Sequence, residues 1–349
     1  MSLKLMQRTR VKFWALAGAC LLMIAAGAIT ARGAIEPHNG MFMGPVRTSA
    51  PRWLSLFSVA IRPDGTIYVV GSKALYLTSN DHGKTWQQHT IRERAGGELF
   101  QDRDLYSIRF TPDGKVGWIC GETGLILRSD DGGKSWQVQK SGIHDNLFKL
   151  YVADAQNAFA VGADGAIVRT TNGGQSWQKI KPPKNVSFFD VTFSDKNDGW
   201  IVGEFATVLG TSDGGQTWTV RSGGNTGDYT IGPWFAVDFS DPQHGLVAGL
   251  SGTMLTTSDG GKTWQKAQLP DQVASYVIAR DAANKKLWVA GNGGNMFDRS
   301  GAGQWQALKR TTFNDITDVA FAGNEGFAVG LNGTILRTQN AGEQWQVVQ

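Results

Sequence analysis

One short segment rich in Asp, Gly and Trp recurs along the chain, and its residue types could support three kinds of site. The copy at residues 129–136 reads Ser-Asp-Asp-Gly-Gly-Lys-Ser-Trp. Its carboxylates could bind a cation, its glycines could surround a phosphate, or the segment could close a turn. A cation site needs more oxygen ligands than one Asp per loop supplies. A phosphate loop needs Gly-x-x-x-x-Gly-Lys-Ser/Thr before a helix, whereas a strand-like segment follows here. The turn is therefore the favoured interpretation.

Copies of this segment keep a constant phase with a second marker, a glycine that ends a short apolar run 14 or 15 residues before each Trp. The steps between the seven tryptophans are 50, 41, 41, 46, 41 and 40 residues. Such a period indicates a repeat architecture. The six full copies pair Asp81 with Trp86, Asp131 with Trp136, Asn172 with Trp177, Asp213 with Trp218, Asp259 with Trp264 and Asn340 with Trp345, and a copy one residue shorter ends at Trp305.

Each repeat contains four strand-like segments, as residues 104–140 illustrate. Residues 104–110 alternate apolar and polar side chains, as half-buried strands do, and a Pro-Asp-Gly turn follows. Two apolar segments separated by Gly-Glu-Thr-Gly come next, and the Asp-rich turn leads to a fourth segment. Four short antiparallel strands in about 40 residues match one propeller blade. The sequence therefore predicts an all-β fold, a seven-bladed β-propeller of four-stranded antiparallel blades over residues 53–349.

The shared residue types of the segment suit a hairpin between the third and fourth strands of a blade. Asp and Asn accept hydrogen bonds from their own turn, and Gly adopts positive φ without steric cost. The Trp is expected to fill the seam between neighbouring blades, where a buried aromatic ring stabilises a fold by about 2–3 kcal/mol. A structural role therefore explains the segment without any ligand.

The pattern Ser/Thr-x-Asp/Asn-x-Gly-x-Thr/Ser-Trp resembles the Asp-box of sialidases and sortilin-type receptors. The fuller unit, Gly-x-x-Gly-x-Ile-Leu-Arg-Thr-x-Asp-Gly-Gly-x-x-Trp, is similar to that of the photosystem II stability/assembly factor-like propellers, and the resemblance covers the chain after about residue 50. It implies a non-catalytic assembly factor, whose partner in that family is a photosystem reaction-centre subunit. Such proteins also occur in non-photosynthetic bacteria, where the expected client is a large inner-membrane transporter or export complex.

Two glutamates in equivalent turns are the candidate pair for glycoside hydrolysis, which needs two carboxylates at a suitable distance. Glu122 lies in the second repeat and Glu204 in the fourth, and blades two apart would hold them too widely for a comfortable pair. The five histidines show no metal-ligand spacing. We therefore predict no enzyme activity, no cofactor and no metal. The alternative is a secreted glycan-binding or sialidase-like glycoside hydrolase propeller.

Three arginines near the end of the third strand are the centre of a candidate interaction patch. Arg128, Arg169 and Arg337 share one position in repeats 2, 3 and 7, and the resemblance implies an arginine-rich interaction patch. Arg binds carboxylates in a bidentate way and is common at interface hot spots. Salt bridges at the blade edges are the structural alternative. The predicted patch also includes Glu122, Glu204 and Trp234.

Two crossings between repeats, residues 91–104 and 221–234, are enlarged. Insertions on one face of a repeat protein usually mark its binding face, although neutral loop growth would also explain them. Trp234 lies in one of these crossings and is the aromatic residue expected to be exposed. Other aromatic residues where first strands begin are mostly expected in the core. The full set is Trp53, Tyr106, Phe148, Phe188, Phe189, Trp234, Phe235, Tyr276 and Phe313.

The first 31 residues predict export, because they hold four basic and no acidic residues and contain an apolar run at 13–29. A helix of that length would span about 25 Å against a hydrocarbon core of about 30 Å. A cleaved signal peptide and a retained inner-membrane anchor both remain open, and Cys20 also allows a lipoprotein. Residues 32–52 are expected to be a linker. We expect the propeller to be periplasmic or otherwise extracytoplasmic.

The net charge of +4 belongs to this N-terminal segment, because residues 32–349 hold 30 basic and 30 acidic residues. The charge of residues 32–349 therefore gives no support for a nucleic-acid partner. Blades 1 and 7 should close the ring by packing, since the repeats begin with an inner strand and end with an outer one. The combined prediction is an exported, non-catalytic propeller that assists the assembly of an integral-membrane protein or complex.

Overall fold

In the computed structural model, the described residues are 54–91, 102–222, 232–281, 285–301 and 303–348. They form seven sheets, each of four antiparallel strands, which confirms the predicted seven-bladed β-propeller. Blades 1 to 4 comprise β1 (Leu56–Ile61), β2 (Ile67–Gly71), β3 (Leu75–Ser79), β4 (Gln87–Thr90); β5 (Leu105–Phe110), β6 (Gly117–Gly121), β7 (Ile126–Ser129), β8 (Gln137–Gln139); β9 (Leu147–Val152), β10 (Ala158–Gly162), β11 (Ile167–Thr170), β12 (Gln178–Lys179); and β13 (Phe188–Phe193), β14 (Gly199–Gly203), β15 (Val208–Thr211), β16 (Thr219–Ser222).

Blades 5 to 7 continue the same pattern, and the inner strands of blades 6 and 7 are one residue longer. They comprise β17 (Trp234–Phe239), β18 (Gly245–Gly249), β19 (Thr253–Thr257), β20 (Gln265–Gln268); β21 (Ser275–Asp281), β22 (Lys286–Gly291), β23 (Met296–Ser300), β24 (Gln306–Ala307); and β25 (Ile316–Ala322), β26 (Glu325–Gly330), β27 (Ile335–Thr338), β28 (Gln346–Val347). Single 3-10 turns join the second and third strands of four blades, at Glu122–Gly124, Ala163–Gly165, Leu250–Gly252 and Asn292–Gly294.

The first strand of every blade is innermost, and these strands contact one another in chain order around the ring. Blade 7 takes its strands from the C-terminal end and blade 1 from the start of the described chain. The two blades are joined by packing and by hydrogen bonds rather than by a shared strand. Thr317 donates its hydroxyl to the Leu56 carbonyl at 2.7 Å, and Gly333 donates its N–H to the Leu54 carbonyl at 2.7 Å. Ring closure therefore follows the expected route.

The glycine that ends the second strand of each blade is required by a close backbone approach. In blade 4, a Cβ on Gly203 would lie well inside 3.0 Å of the carbonyl oxygen of Ser187, the residue before the inner strand. The N–H of Glu204 donates to that same carbonyl at 3.0 Å. A larger residue would therefore push the inner strand out of place. The equivalent carbonyls are approached as closely by Gly71, Gly121, Gly162, Gly249, Gly291 and Gly330.

The recurring Asp-rich segments are the hairpins between the third and fourth strands. In blade 2, Ser129 Oγ accepts the N–H of Gly133 at 2.7 Å, and Asp131 accepts the N–H and hydroxyl of Ser135 at 2.9 and 2.6 Å. Burial alone would raise the pKa of Asp131, but the hydrogen bonds from Ser135 and Ser129 outweigh it and hold that pKa at about 2. The carboxylate is therefore engaged within its own turn. Five other hairpins repeat the backbone part of this arrangement.

Tryptophans of these hairpins pack on the preceding blade, as the sequence predicts. The Trp136 ring meets Tyr76 of blade 1 edge-on, with centroids 5.9 Å apart. Trp86 of blade 1 meets Phe327 of blade 7 in the same way, at 6.2 Å. The second contact lies at the seam between blade 7 and blade 1. Aromatic packing therefore closes the ring as well as joining neighbours within it.

Candidate functional site

The arginines of the predicted patch lie where the third strands end, beside the Asp-rich hairpin of the next blade. Arg128 donates to the carbonyl of Gly173 in blade 3 and pairs with Asp130 at 2.6 Å. Its guanidinium also lies over the Trp118 ring, 5.1 Å from the centroid, and only 14% of the side chain is exposed. Arg128 therefore holds blades 2 and 3 together, which is the blade-edge role considered as the alternative.

The other two arginines differ in how far they are engaged. Arg337 binds Glu325 through Nε and Nη2 at 2.9 and 2.7 Å, and Glu325 Oε2 lies 2.7 Å from His82 Nδ1 in blade 1. Arg337 thus takes part in ring closure. Arg169 stacks over Phe159 at 5.5 Å, and its Nε makes no hydrogen bond within the described residues. The patch remains a prediction, and Arg169 is its most available member.

The two candidate glutamates fix the start of the inner strand in their own blades. Glu122 Oε2 accepts the N–H of Asp104 at 2.9 Å, and Glu204 Oε2 accepts the N–H of Ser187 at 2.9 Å. The two hydrogen bonds join equivalent positions, so both carboxylates have a structural task. Glu122 also lies 3.4 Å from the Tyr106 hydroxyl, a Tyr–Glu contact that sequence analysis could not assign. Burial, and then the negative charge of Glu122, raise the pKa of Tyr106.

The expected exposure of Trp234 is wrong. Its side chain is 1% exposed, and its indole N–H donates to the carbonyl of Ala206 in blade 4 at 3.2 Å. The reason is its place in the fold: Trp234 is the first residue of β17, a position that is buried between blades throughout the ring. The same position is held elsewhere by Leu56, Leu105, Leu147, Phe188, Ser275 and Ile316.

Several sequence predictions fall on residues outside the described ranges. Most of each enlarged crossing does so, at residues 92–101 and 223–231. The signal or anchor at residues 1–31 and the linker at 32–52 do so as well, together with Trp53. Within the ranges that are described, no helix is long and apolar enough to cross a membrane. In that same part of the chain, no group of three or more His, Cys, Asp or Glu side chains could hold a metal ion.

A buried polar cluster joins blades 7, 1 and 2 and was missed by sequence analysis. Arg109 Nη1 donates to Ser58 Oγ at 2.8 Å and to Asp318 Oδ2 at 3.0 Å. The Ser58 hydroxyl and the Val59 N–H donate to the same carboxylate at 2.7 and 3.2 Å. Burial would raise the pKa of Asp318, but the positive charges of Arg109 and Lys149 lower it below the usual value. Asp318 is therefore a fully satisfied anion.

A second ion pair continues this cluster through blades 3 to 5. Lys149 Nζ lies 3.8 Å from Asp190 Oδ1, and Asp190 Oδ2 accepts the N–H of Val237 at 3.0 Å. Burial raises the pKa of Asp190 despite the nearby positive charge. Asp318 and Asp190 therefore each have a base and a backbone donor beside them, and these two pairs balance each other's charge.

Six aromatic side chains form a belt at the start of the inner strands, which we call the aromatic collar. Each is the second residue of its strand, where the pairing register shifts by one residue. A bulge of this kind re-aims the side chain of the extra residue. Consecutive rings lie 5.5–6.1 Å apart, centroid to centroid. The collar consists of Phe57, Tyr106, Phe148, Phe189, Phe235 and Tyr276, and Thr317 holds the seventh position.

The collar corrects the expectation that aromatics at the start of first strands are mostly core. All collar rings except Phe57 are partly exposed, whereas their neighbours Phe188 and Trp234 are buried. The sequence carried the signal, an aromatic residue at one position in six repeats. It could not show that a bulge separates this position from the buried one before it. Phe313 lies apart from both groups and is 82% exposed.

A model of the family described as Photosynthesis system II assembly factor YCF48 matches residues 17–128, 97–187, 175–232 and 228–312. No curated protein matches the chain. The solved structure of YCF48 bound to D1 peptide is 21% identical, with a TM-score of 0.66, over 84% of this chain and 95% of that chain. YCF48 from Cyanidioschyzon merolae is 20% identical, with a TM-score of 0.66, over 84% of this chain and 97% of its own.

A glycoside hydrolase shares the same fold. An ancestral GH74 enzyme is 13% identical, with a TM-score of 0.69, over 88% of this chain and 48% of its own. Likeness at these levels of identity shows a common architecture, and function on a shared fold is decided by the site.

Proposed function

The chain belongs to the photosynthesis system II assembly factor YCF48 family, and on that basis we propose that it is a non-catalytic assembly factor that binds an extramembrane segment of an integral-membrane protein. The observation that carries this proposal is the family match, which extends through overlapping ranges from residue 17 to residue 312. A relative with the same fold is described as bound to D1 peptide. A polypeptide ligand therefore has a precedent on this architecture.

The compartment and client are further parts of the proposal. The basic and apolar N-terminal segment, residues 1–31, supports export. The client is then a membrane protein whose extracytoplasmic segment the propeller can reach. In a non-photosynthetic bacterium, that client is an inner-membrane transporter or export complex. Retention of residues 13–29 would anchor the propeller beside it.

A mild-detergent pull-down of the full-length protein from its own membranes tests the assembly role. Mass spectrometry of the eluate should identify one stoichiometric integral-membrane protein. Sequencing of the bait's N-terminus in the same sample separates a cleaved signal from a retained anchor. Recovery of a soluble, cleaved bait without any membrane protein would contradict the proposal.

A glycan-processing propeller is the second candidate, favoured by the contact between Tyr106 and Glu122 and by the fold shared with an ancestral GH74 enzyme. A carboxylate that activates a tyrosine nucleophile must be free to accept its proton. Glu122 Oε2 accepts the N–H of Asp104, a structural task that leaves Oε1 to face the Tyr106 hydroxyl. A panel of sialosides and β-glucans tests this candidate. Turnover that is lost in Glu122→Gln would establish it, and absence of turnover in the wild-type protein would remove it.

A further inference from the structure

The aromatic collar lies at one mouth of the propeller's central channel. Its residues begin the inner strands, directly after the crossings that arrive from the preceding blades. The turns between second and third strands lie at the same end, since the N–H of Ser55 donates to Ser72 Oγ at 3.0 Å and the N–H of Asp104 to Glu122 at 2.9 Å. The collar therefore opens on the same face as the turns between second and third strands.

The spacing of the rings sets the width of this mouth. Seven positions 5.5–6.1 Å apart, arranged as a regular heptagon, place the ring centroids roughly 6–7 Å from the channel axis. Carbon atoms make contact at about 3.5–4.0 Å. Ligand atoms can therefore occupy a column only about 2–3 Å in radius around the axis. That column fits one extended side chain, whereas a hydrated sugar ring with hydroxyls on both sides is too wide.

The charged side chains next to the collar are paired with one another, which favours an uncharged ligand group at the channel mouth. The collar positions Phe148, Phe189 and Thr317 are followed directly by Lys149, Asp190 and Asp318. Arg109 lies three residues after the collar residue Tyr106 in β5. Lys149 is paired with Asp190, and Arg109 with Asp318. No charge is left over within this described cluster to attract an ionic ligand. Aromatic carbon is thus the surface that the channel mouth offers.

We propose that the aromatic collar is a socket for one apolar side chain, Leu or Phe, of the client's extended extramembrane segment. This inference rests on the proposed assembly function, because that function supplies a polypeptide partner. Well-placed contacts between aromatic rings stabilise a complex beyond simple burial. A side chain that enters the socket meets several rings at once.

Thr317 provides a reporter inside the collar. Its hydroxyl donates to the Leu56 carbonyl at 2.7 Å, which fixes the side chain. Thr317 is also the one collar position that carries a methyl group. We would label threonine methyl groups of the full-length protein in detergent and assign Thr317 with Thr317→Ser. The probes are two Gly/Ser nonapeptides that differ only in a central Phe or Asp, and cellohexaose as the glycan.

The Phe peptide should shift the Thr317 methyl resonance, and the Asp peptide and cellohexaose should not. Replacing two collar rings, Phe189→Ala with Phe235→Ala, should weaken that binding about tenfold or more. Phe313→Ala removes an exposed aromatic ring outside the collar and should leave binding unchanged. A shift with cellohexaose instead would assign the socket to glycans, and no shift with the Phe peptide, or an equal shift in the double variant, would overturn the socket. Client retention in the pull-down is measured separately, so loss of the socket does not remove the assembly role.

Discussion

Arg109 of blade 2 and Asp318 of blade 7 form an ion pair, 3.0 Å between Nη1 and Oδ2, across the inner strand of blade 1. Ser58 in that intervening strand accepts from the arginine and donates to the aspartate. One pair therefore ties together three consecutive blades, including the two at the ends of the chain. The ring closes without a shared strand. This cluster and the packing between blades 7 and 1 must therefore hold the first and last blades together.

Removing the arginine should open this closure. Arg109→Met leaves the buried Asp318 carboxylate without its charge partner, and breaking a buried pair in this way costs about 3 kcal/mol or more. Urea unfolding of the full-length protein measures the loss. Lys115→Met removes one side of an exposed pair, with side chains 79% and 56% exposed, and should change the free energy of unfolding by less than about 0.5 kcal/mol. Equal losses in the two variants would show that Arg109 has no special role in closure.

The glycine at the end of each second strand should tolerate no side chain. In Gly203→Ala the new Cβ meets the Ser187 carbonyl oxygen, and because both groups are backbone, the inner strand must move. We expect a loss of about 3 kcal/mol in the free energy of unfolding. Gly142→Ala is the matched control, since its Cβ meets nothing within 4 Å although φ is +75°. Its cost should stay near 1 kcal/mol, that of a strained backbone alone. A smaller loss for Gly203→Ala than for the control would contradict the close-approach explanation.

The repeat could be read from the sequence because its markers have local physical causes. A glycine that closely approaches a carbonyl and a Trp that ends the hairpin recur in every blade, and an Asp or Asn that satisfies its own turn recurs in six of the seven. The ring-closing pair could not be predicted, since Arg109 and Asp318 are 209 residues apart and meet only because seven blades form a ring. The bulge at the start of each inner strand could not be predicted from the sequence either. It decides that Trp234 is buried while Phe235, the next residue, joins the collar.

Acid should weaken the Asp-rich hairpins in a defined pH range. The folded-state pKa of Asp131 is about 2, below the ordinary value of 3.8. Because the folded pKa lies below the unfolded one, the ionised carboxylate stabilises the fold above about pH 4, and this contribution is lost as the pH falls from about 4 towards 2. Asp131→Asn should lower Tm at pH 7, and its difference from the wild-type protein should shrink steadily as the pH falls from about 4 towards 2.

A series of thermal melts between pH 2 and pH 7 measures this difference. Asn is a fair replacement, because Asn172 accepts the N–H of Ser176 at 3.0 Å in the equivalent hairpin of blade 3. The variant therefore keeps the backbone bond and removes the charge, and its amide donates to the Ser135 hydroxyl, as Asn172 Nδ2 donates to Ser176 Oγ at 2.8 Å. A Tm difference that stays constant over the whole pH range would show that ionisation of Asp131 contributes nothing.

Arg169 provides the cleanest test of the arginine patch. Arg128 holds the Gly173 carbonyl and Arg337 holds Glu325, so charge reversal at either position would also break a contact between or within blades. Arg169 stacks on Phe159, and reversal there should cost less stability. If the patch binds acidic groups of the client, Arg169→Glu should reduce client retention about tenfold or more, as loss of an interface hot spot does.

Lys266→Glu is the matched control, because it reverses an exposed charge on the outer strand of blade 5, away from the arginines of blades 2, 3 and 7. Both variants should melt within about 2 °C of the wild-type protein, which corresponds to less than about 1 kcal/mol in a chain of this size. Retention should fall as the salt concentration rises, since exposed ion pairs are screened. Full retention by Arg169→Glu would assign the blade-edge arginines to fold stability alone. In that case, client binding would have to be sought at the opposite face, where the aromatic collar opens.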